Sequence, residues 1–215
     1  MYIPKYYRET DAEKIDRFLR QNSFATLISY DGKRPIATHL PLELARNEHG
    51  EGYLNGHMAY ANPHWRTFKA EEEVLAIFLG AHAYVSARWY NHLNVPTWNY
   101  MTVHVYGKPR LVPDHDELYA MLKQLVDRHE GNAETNAPYK LENLPADFVE
   151  REMKGIVGFQ VKIERIEAKY KLSQNRKPED YDNVIAELQK NDGDGAREIA
   201  QVMLQNRSSL YGQNA

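Results

Sequence analysis

Residues 23–44 read SFATLISYDGKRPIATHLPLEL, and this stretch decides the fold class. Two apolar runs flank the pair Asp31-Gly32, which is the strongest short hairpin signal in the chain. A second break at residues 47–50 leads into a third run, GYLNGH. Tight turns of this kind join antiparallel strands, so the region predicts a three-stranded meander.

Short strands and helices alternate along the rest of the chain. Closely spaced strands favour an antiparallel barrel over a parallel sheet with crossover helices, so the sequence predicts a mainly β fold with flanking helices. The run VLAIFLG at residues 74–80 is continuously apolar, which predicts a strand buried on both faces. The predicted elements are strands at 74–80, 83–90, 97–106 and 155–168, helices at 11–22, 114–126, 146–154, 179–190 and 195–206, and a long loop at 131–145.

The first helix carries a capping signal. Thr10 and Glu13 have the spacing of a capping box, in which each side chain bonds the backbone N–H of the other residue. Ile15, Phe18 and Leu19 follow at helical spacing. The pattern predicts a short amphipathic helix that starts after Thr10.

Charge disfavours one class of function. The chain has 27 Lys and Arg against 30 Asp and Glu, a net charge of -3, and a pI near 6.3. A protein that binds DNA mainly through phosphate contacts usually has an excess of basic residues on one face. Bulk electrostatic binding to DNA is therefore disfavoured, although a small basic patch stays open.

Cysteine content and apolar runs exclude further classes. The chain has no Cys, which removes disulfides, thiol nucleophiles and Cys-ligated metal centres. The longest apolar stretch is far shorter than the ~20 residues of a membrane span, and the start has no signal-peptide core. The sequence predicts a cytoplasmic protein without a membrane partner.

Familiar catalytic motifs are missing. The sequence has no nucleophile elbow, phosphate-binding loop or dinucleotide fingerprint placed after a strand. His57 and His64 are seven residues apart, and no His pair has the close spacing of a zinc site. We therefore predict no metal site and assign no catalytic residue.

Three segments could bind a ligand. In the first, GHMAYANPHW at residues 56–65, Asn62-Pro63 has the sequence of a helix N-cap followed by its first residue. Helix amides with Asn and His side chains could bind an anion there, and Gly56 would let a ligand approach the backbone. A capped turn with nothing bound is the commoner outcome for such a sequence.

The second segment is VPTWNYMTVHVYG at residues 95–107. Strand alternation places Trp98 and Tyr100 on one face and Asn99 on the other. An aromatic row can be a packed sheet face, or a platform for a flat ring with Asn99 or His104 at the ring edge. The spacing leaves both interpretations open.

The third segment is KYKLSQNRK at residues 169–177. Four of its nine residues are basic, and Ser173, Gln174 and Asn175 add hydrogen-bond donors. Such a group could bind a phosphate or ring carbonyls, although runs of charge are usually solvated turns.

Together these segments resemble one family. The chain is similar to the PaiB family, described as FMN-binding negative transcriptional regulators related to split-barrel flavin proteins. The resemblance extends from residue 1 to about 190. It depends on the blocks MYIPKYY, ATHLPL, GHMAYANPHW, AYVSARWY, VPTWNYMTVHVYG, GIVGF and KLSQNR.

The resemblance implies a fold, a cofactor and a set of contacts. It implies a split β-barrel over residues 1–176, a C-terminal helical extension over residues 177–215, and a homodimer with FMN held in a groove between subunits. Carried across by position, the cofactor-binding residues are Thr38, His39, Leu40, Pro41, Asn55, Gly56, His57, Asn62, Trp65, Trp98, Asn99, His104, Lys171, Gln174 and Arg176.

The function implied by the resemblance is repression of protease production and sporulation. The chain shows no helix-turn-helix with a basic second helix, so we expect any repression to be indirect or to act through a partner protein or a small-molecule signal, while DNA stays open as a partner with weaker support. Two alternatives stay open: an FMN-dependent reductase or oxidase of a small substrate, and a cofactor-free interaction module.

Overall fold

The computed structural model describes residues 1–69, 72–131 and 139–212, so residues 132–138 of the predicted loop lie outside the described residues. Short 3-10 turns join some of the elements. The strands are β1 (Arg8–Glu9), β2 (Phe24–Tyr30), β3 (Pro35–Pro41), β4 (Glu43–Arg46), β5 (Gly52–Ala59), β6 (Val74–Val85), β7 (Thr97–Val112) and β8 (Ile156–Lys171). The helices are α1 (Ala12–Gln21), α2 (His115–Glu130), α3 (Ala146–Met153), α4 (Pro178–Gln189) and α5 (Asp194–Tyr211).

The chain divides into two compact units. The larger unit comprises Leu19–Phe78 and Val105–Ile166, and the smaller unit comprises Met1–Phe18, Leu79–His104 and Glu167–Ala215. Each of the long strands β6, β7 and β8 contributes residues to both units. The predicted division at residue 176 stays a prediction.

The predicted hairpin at Asp31-Gly32 is confirmed. β2 and β3 pair antiparallel, from Phe24 opposite Pro41 to Tyr30 opposite Pro35. Asp31 Oδ1 accepts the backbone N–H groups of the two residues after the glycine, at 2.7 and 2.8 Å. Gly32 has a φ of 91°, a conformation that suits a residue without a Cβ.

The predicted meander is wrong, because the run PIATHLPLEL forms two strands. Pro41 lacks an N–H and Leu42 is fully buried, so the strand bends there. β3 then pairs with β2, whereas β4 pairs with β5. In the strand order β3-β2-β6-β7-β8-β5-β4, the two halves of the run lie at opposite ends. Since one residue joins those ends, the sheet curls into a barrel.

The predicted strands at 74–80 and 83–90 are largely one strand, β6, which ends at Val85. Its burial alternates, with Phe78 fully buried and Leu79 56% exposed, so the prediction of burial on both faces is wrong. A strand buried on both faces would need packing partners on each side, whereas alternate residues of β6 face outward. After Val85, the side chain of Ser86 caps a 3-10 turn instead of extending the strand.

The predicted capping box of α1 is also wrong. Asp11 Oδ1 accepts the backbone N–H groups of Glu13 and Lys14 at 3.0 and 3.1 Å. Glu9 instead accepts the N–H of Thr10, at 2.9 Å. The helix begins at Ala12, so Asp11 occupies the N-cap position and its carboxylate bonds the first helical amides in place of the Thr10 hydroxyl.

The last two helices pack within the smaller unit. Tyr181 and Leu188 of α4 and Ile199 and Met203 of α5 are fully buried. The Tyr181 hydroxyl donates to the backbone carbonyl of Met203 at 3.0 Å. These two helices therefore contribute directly to the core of that unit.

Candidate functional site

A capped turn follows β5 in the larger unit. Asn62 Oδ1 accepts the backbone N–H of His64 at 3.0 Å, and Pro63 begins a five-residue 3-10 helix. The predicted N-cap is therefore confirmed. Pro63 has no N–H and that of His64 is already bonded, so the backbone at this turn gives the predicted anion site no support.

A buried polar network fixes the turn against β2 and β3. The His64 ring bonds on both sides, with Nε2 2.8 Å from Ser29 Oγ and Nδ1 2.7 Å from Thr38 Oγ1. Ser29 Oγ lies 2.5 Å from Thr67 Oγ1, and the Thr67 hydroxyl donates to the His64 carbonyl at 2.7 Å. Asn62 Nδ2 donates to Thr38 Oγ1 at 3.3 Å. The network therefore determines where the Thr38 hydroxyl lies.

The environment of His64 favours the neutral form of its imidazole. Its side chain is 1% exposed, and burial lowers the pKa of its imidazole below the usual value. Its two side-chain partners, Ser29 and Thr38, are uncharged hydroxyls, so no carboxylate compensates for the loss of hydration. A neutral imidazole has one N–H and one acceptor nitrogen.

β3 presents an open edge of the described sheet. It pairs with β2 alone, so every second residue of β3 directs its backbone N–H and C=O away from β2. Thr38 is half-buried, His39 is exposed and Leu40 is buried. His39 Nδ1 lies 2.9 Å from Thr26 Oγ1 on the neighbouring strand. The edge therefore offers backbone and side-chain groups to a flat polar ligand.

Aromatic and cationic groups follow the turn. The rings of Tyr60 and Trp65 lie 5.6 Å apart, and Trp65 Nε1 donates to the Tyr60 carbonyl at 3.1 Å. The guanidinium carbon of Arg66 lies 5.0 Å from the centre of the Trp65 ring. An exposed cation therefore lies next to the predicted residue Trp65.

Four predicted residues line one groove of the larger unit. Pro41, Asn55, Gly56 and His57 face α2 across a narrow groove. Asn55 is 8% exposed, and among the described residues its Oδ1 has no hydrogen-bond partner. Burial lowers the pKa of His57. The groove thus contains a buried acceptor and a neutral imidazole.

Gly56 is required by packing. A Cβ at this position would lie 2.7 Å from Leu42 Cδ2 and 2.7 Å from Phe159 Cζ. Both of these side chains are fully buried in the core. On the side where a Cβ would lie, the space beside Gly56 is therefore filled by core side chains.

The remaining predicted residues belong to the smaller unit. Trp98 is 51% exposed and Asn99 is fully buried, so the predicted alternation along this strand is confirmed. The Trp98 ring lies 6.1 Å from that of His82 and 5.8 Å from that of Tyr84. Burial lowers the pKa of His104, which is half-buried.

The turn after β8 uses its polar side chains internally. Ser173 has a φ of 63°, and its hydroxyl donates to Asn99 Oδ1 at 3.1 Å. Gln174 Oε1 accepts the Leu172 N–H at 2.7 Å, and Gln174 Nε2 donates to the Tyr170 carbonyl at 2.6 Å. The amide groups of Asn99 and Gln174 therefore hold the turn in place.

Two cations of this turn also have protein partners. Lys171 Nζ donates to the Thr97 hydroxyl and, at 2.6 Å, to the Trp98 carbonyl. Burial, followed by the nearby charges of Lys169 and Arg176, lowers the pKa of Lys171. The Arg176 guanidinium lies 4.8 Å above a tyrosine ring. Both cations help to hold the segment in its observed conformation.

The fifteen predicted residues thus fall into two groups, one in each unit, and their role in cofactor binding stays a prediction. The structure adds three residues that sequence reasoning passed over: His64, Ser29 and Arg66. The seven-residue spacing of His57 and His64 was examined for metal binding, but Ser29 and Thr38 are far from His64 in sequence. Only the folded chain brings these hydroxyls to the imidazole.

The described residues also bear on metal binding and membrane insertion. Over the described ranges 1–69, 72–131 and 139–212, no three His, Asp or Glu side chains cluster in a way that could hold a metal ion. No helix in those ranges is both long enough and apolar enough to cross a bilayer.

Comparison with known proteins identifies the family of this chain. The chain matches, over residues 1–165, the model of the family described as "Putative FMN-binding domain", and it belongs to that family. It is 46% identical over 203 residues to "Protease synthase and sporulation protein PAI 2" of Bacillus subtilis, with 94% of this chain and 96% of that protein covered. The resemblance to the PaiB family is confirmed.

Solved structures establish the fold independently. The flavocytochrome Anf3 from Azotobacter vinelandii matches with a TM-score of 0.60 and 17% identity, over 79% of this chain and 72% of that one. The FAD and heme binding protein from Mycobacterium smegmatis matches with a TM-score of 0.58 and 17% identity, over 77% and 73%. At this identity the likeness concerns the fold alone. With the strand order, it confirms the predicted split β-barrel.

Proposed function

We propose that this protein binds FMN at the edge of β3 and the turn after β5, and that it acts as a flavin-bound negative regulator of protease production and sporulation. The observation that carries the proposal is the family match over residues 1–165, which spans every element of this site. The 46% identity to PAI 2 of Bacillus subtilis supports the regulatory part.

The donor set of the larger unit fits a flavin. A flavin ring edge alternates hydrogen-bond donors and acceptors, and the open edge of β3 offers backbone groups of both kinds. Thr38, His39 and Asn62 add a hydroxyl, an imidazole and an amide beside that edge. Arg66 supplies a positive charge for the phosphate.

Each residue then has a distinct role. The groups on β3 and Asn62 would orient the ring, and Arg66 would hold the phosphate. Trp65 would cover apolar surface, while the buried network behind Thr38 keeps the hydroxyl in one position. When bound, FMN supplies one- and two-electron chemistry, so the protein could report a redox state to a partner.

Charge supports an indirect mode of regulation. Residues 177–212, which hold the last two helices, carry four Lys and Arg against seven Asp and Glu. A DNA-recognition helix needs basic residues to contact phosphates, and an acidic pair of helices repels them. We propose that the protein acts through a protein partner, as a homodimer. Tight binding of the purified chain to a promoter fragment at physiological salt would contradict this mode.

The decisive test is flavin retention. The purified chain is incubated with FMN and desalted, and its visible absorption is then measured beside that of Arg66→Gln and Arg34→Gln variants. Arg34 lies on the β2–β3 turn and serves as a matched exposed arginine. We expect a retained flavin band, about tenfold weaker binding for Arg66→Gln, and no change for Arg34→Gln.

A colourless protein at all FMN concentrations would overturn the cofactor proposal and favour an interaction module. Steady consumption of NADH or NADPH by the flavin-loaded chain would instead favour the oxidoreductase alternative. Measuring the molar mass in the same samples tests the predicted homodimer.

A further inference from the structure

The hydrogen-bond network around His64 has a fixed direction, because each hydroxyl has a single proton. The starting point is Thr67, whose hydroxyl lies 2.7 Å from the His64 carbonyl. A carbonyl oxygen can only accept, so the Thr67 proton is committed to it. Thr67 Oγ1 must then accept in its 2.5 Å contact with Ser29, which makes the Ser29 hydroxyl the donor there.

The same reasoning continues through the imidazole. Since the Ser29 proton is already used, Ser29 Oγ can only accept in its 2.8 Å contact with His64 Nε2. His64 therefore carries its proton on Nε2. Its Nδ1 is then an acceptor, and the Thr38 hydroxyl donates to it across 2.7 Å.

The opposite tautomer, with the proton on Nδ1, leaves one contact of the network without a proton. A proton on Nδ1 would require the Ser29 hydroxyl to donate to Nε2, and the Thr67 hydroxyl to donate to Ser29. Thr67 Oγ1 and the His64 carbonyl oxygen would then lie 2.7 Å apart with no proton between them. In a buried site such an uncompensated contact is destabilising. Burial also lowers the pKa of His64, which disfavours the doubly protonated ring.

We infer that His64 is a positioning residue that holds Thr38 as a pure hydrogen-bond acceptor toward any ligand at the β3 edge. The Thr38 proton points at His64, and Asn62 Nδ2 occupies one lone pair of Thr38 Oγ1 at 3.3 Å. The one remaining lone pair can receive an N–H or O–H group. Such a position selects a neutral donor, such as a ring imide N–H or a sugar hydroxyl, and repels an anion.

This inference rests on the proposed function for the identity of the ligand, but its first test does not. The chain is labelled with 15N-histidine and prepared without flavin, and the ring nitrogens of His64 are identified by their loss in a His64→Gln variant. We expect Nε2 to resonate as a protonated nitrogen and Nδ1 as an unprotonated one. The reverse pattern, or two protonated nitrogens at neutral pH, would overturn the inference.

A pair of Thr67 variants tests the origin of the direction. Thr67→Val removes the hydroxyl oxygen that accepts the Ser29 proton, so the Ser29 hydroxyl becomes able to donate to His64 Nε2. We expect a detectable shift of His64 toward the Nδ1-protonated tautomer in this variant. Thr67→Ser keeps the hydroxyl and should keep the wild-type spectrum. An unchanged spectrum in folded Thr67→Val would contradict the mechanism.

A pair of Thr38 variants tests the consequence for binding. Thr38→Val should weaken FMN binding about tenfold through loss of one acceptor, whereas Thr38→Ser should stay within about twofold of wild type. Equal affinities for folded Thr38→Val and wild type would overturn the role of Thr38 at the ligand. If the wild-type chain binds no FMN, the cofactor proposal fails, while the nitrogen spectra still decide the tautomer of His64.

Discussion

At the scale of single residues, the polar side chains predicted to bind a ligand lie in two different environments. In the larger unit, Thr38 and Asn62 stand beside an open strand edge and are held by His64. In the smaller unit, the side-chain amides of Asn99 and Gln174 form hydrogen bonds within the turn after β8. A side chain whose donors and acceptors are already satisfied gains little from a ligand, so we give the first group priority.

Gly56 gives a prediction at this scale. Replacement of Gly56 by Ala should lower the free energy of unfolding by about 1–3 kcal/mol, because the new methyl would overlap Leu42 and Phe159 in the core. Gly52→Ala in the same strand is the matched control, since its Cβ would meet the flexible end of Ile163 at 3.1 Å. Urea unfolding measures both. Equal stability of the two variants would show that the core around Gly56 can relax.

At the scale of elements, the bend between β3 and β4 creates both the barrel and the site. The bend sends the two halves of one apolar run to opposite ends of the strand order. β3 is thereby left with a single neighbour, and its free edge is where the predicted contacts Thr38 and His39 lie. A plain meander would have covered this edge with the next strand.

The pair of helices α4 and α5 gives the prediction at this scale. Ile199 is fully buried on α5, and Gln201 is exposed two residues away. Ile199→Ala should destabilise the protein by about 2–5 kcal/mol through loss of apolar contacts and the cavity left behind. Gln201→Ala should change stability by less than about 0.5 kcal/mol. Thermal and urea unfolding would test whether these helices contribute to the core, and a small effect of Ile199→Ala would argue against it.

At the scale of the whole molecule, buried histidines make stability depend on pH. Burial lowers the folded-state pKa of His57, His64 and His104 below the usual histidine value. Between the folded and unfolded pKa values, the unfolded chain therefore binds more protons than the folded chain. Stability from these residues is fully present above the unfolded pKa and is lost as the pH falls through the window below it.

We therefore expect these three residues to lower the urea midpoint between about pH 7.5 and pH 5.5, before most carboxylates titrate, against an opposite contribution from His115, whose pKa is raised by Asp116 and Glu150. His64→Gln should show a smaller fall across this window, because one of the three groups no longer titrates. A midpoint that rises toward pH 5.5 in the wild-type chain would contradict the assignment.

The local features and the family can be predicted from the amino-acid sequence. Asp31-Gly32 determined a hairpin, Asn62 determined a cap, and strand alternation placed Trp98 outward and Asn99 inward, because each depends on residues close together in the chain. The blocks shared with the PaiB family predicted the split barrel.

Which side chains contact one another depends on the tertiary structure. The bend at Leu42, the core packing over Gly56 and the contacts of His64 with Ser29 and Thr38 join residues that are distant in sequence. The local pattern of polar and apolar residues does not predict such contacts, because they depend on how the sheet curls. The direction of the His64 network, and with it the acceptor character of Thr38, follows from those contacts together with the contacts of Thr67 with Ser29 and with the His64 carbonyl.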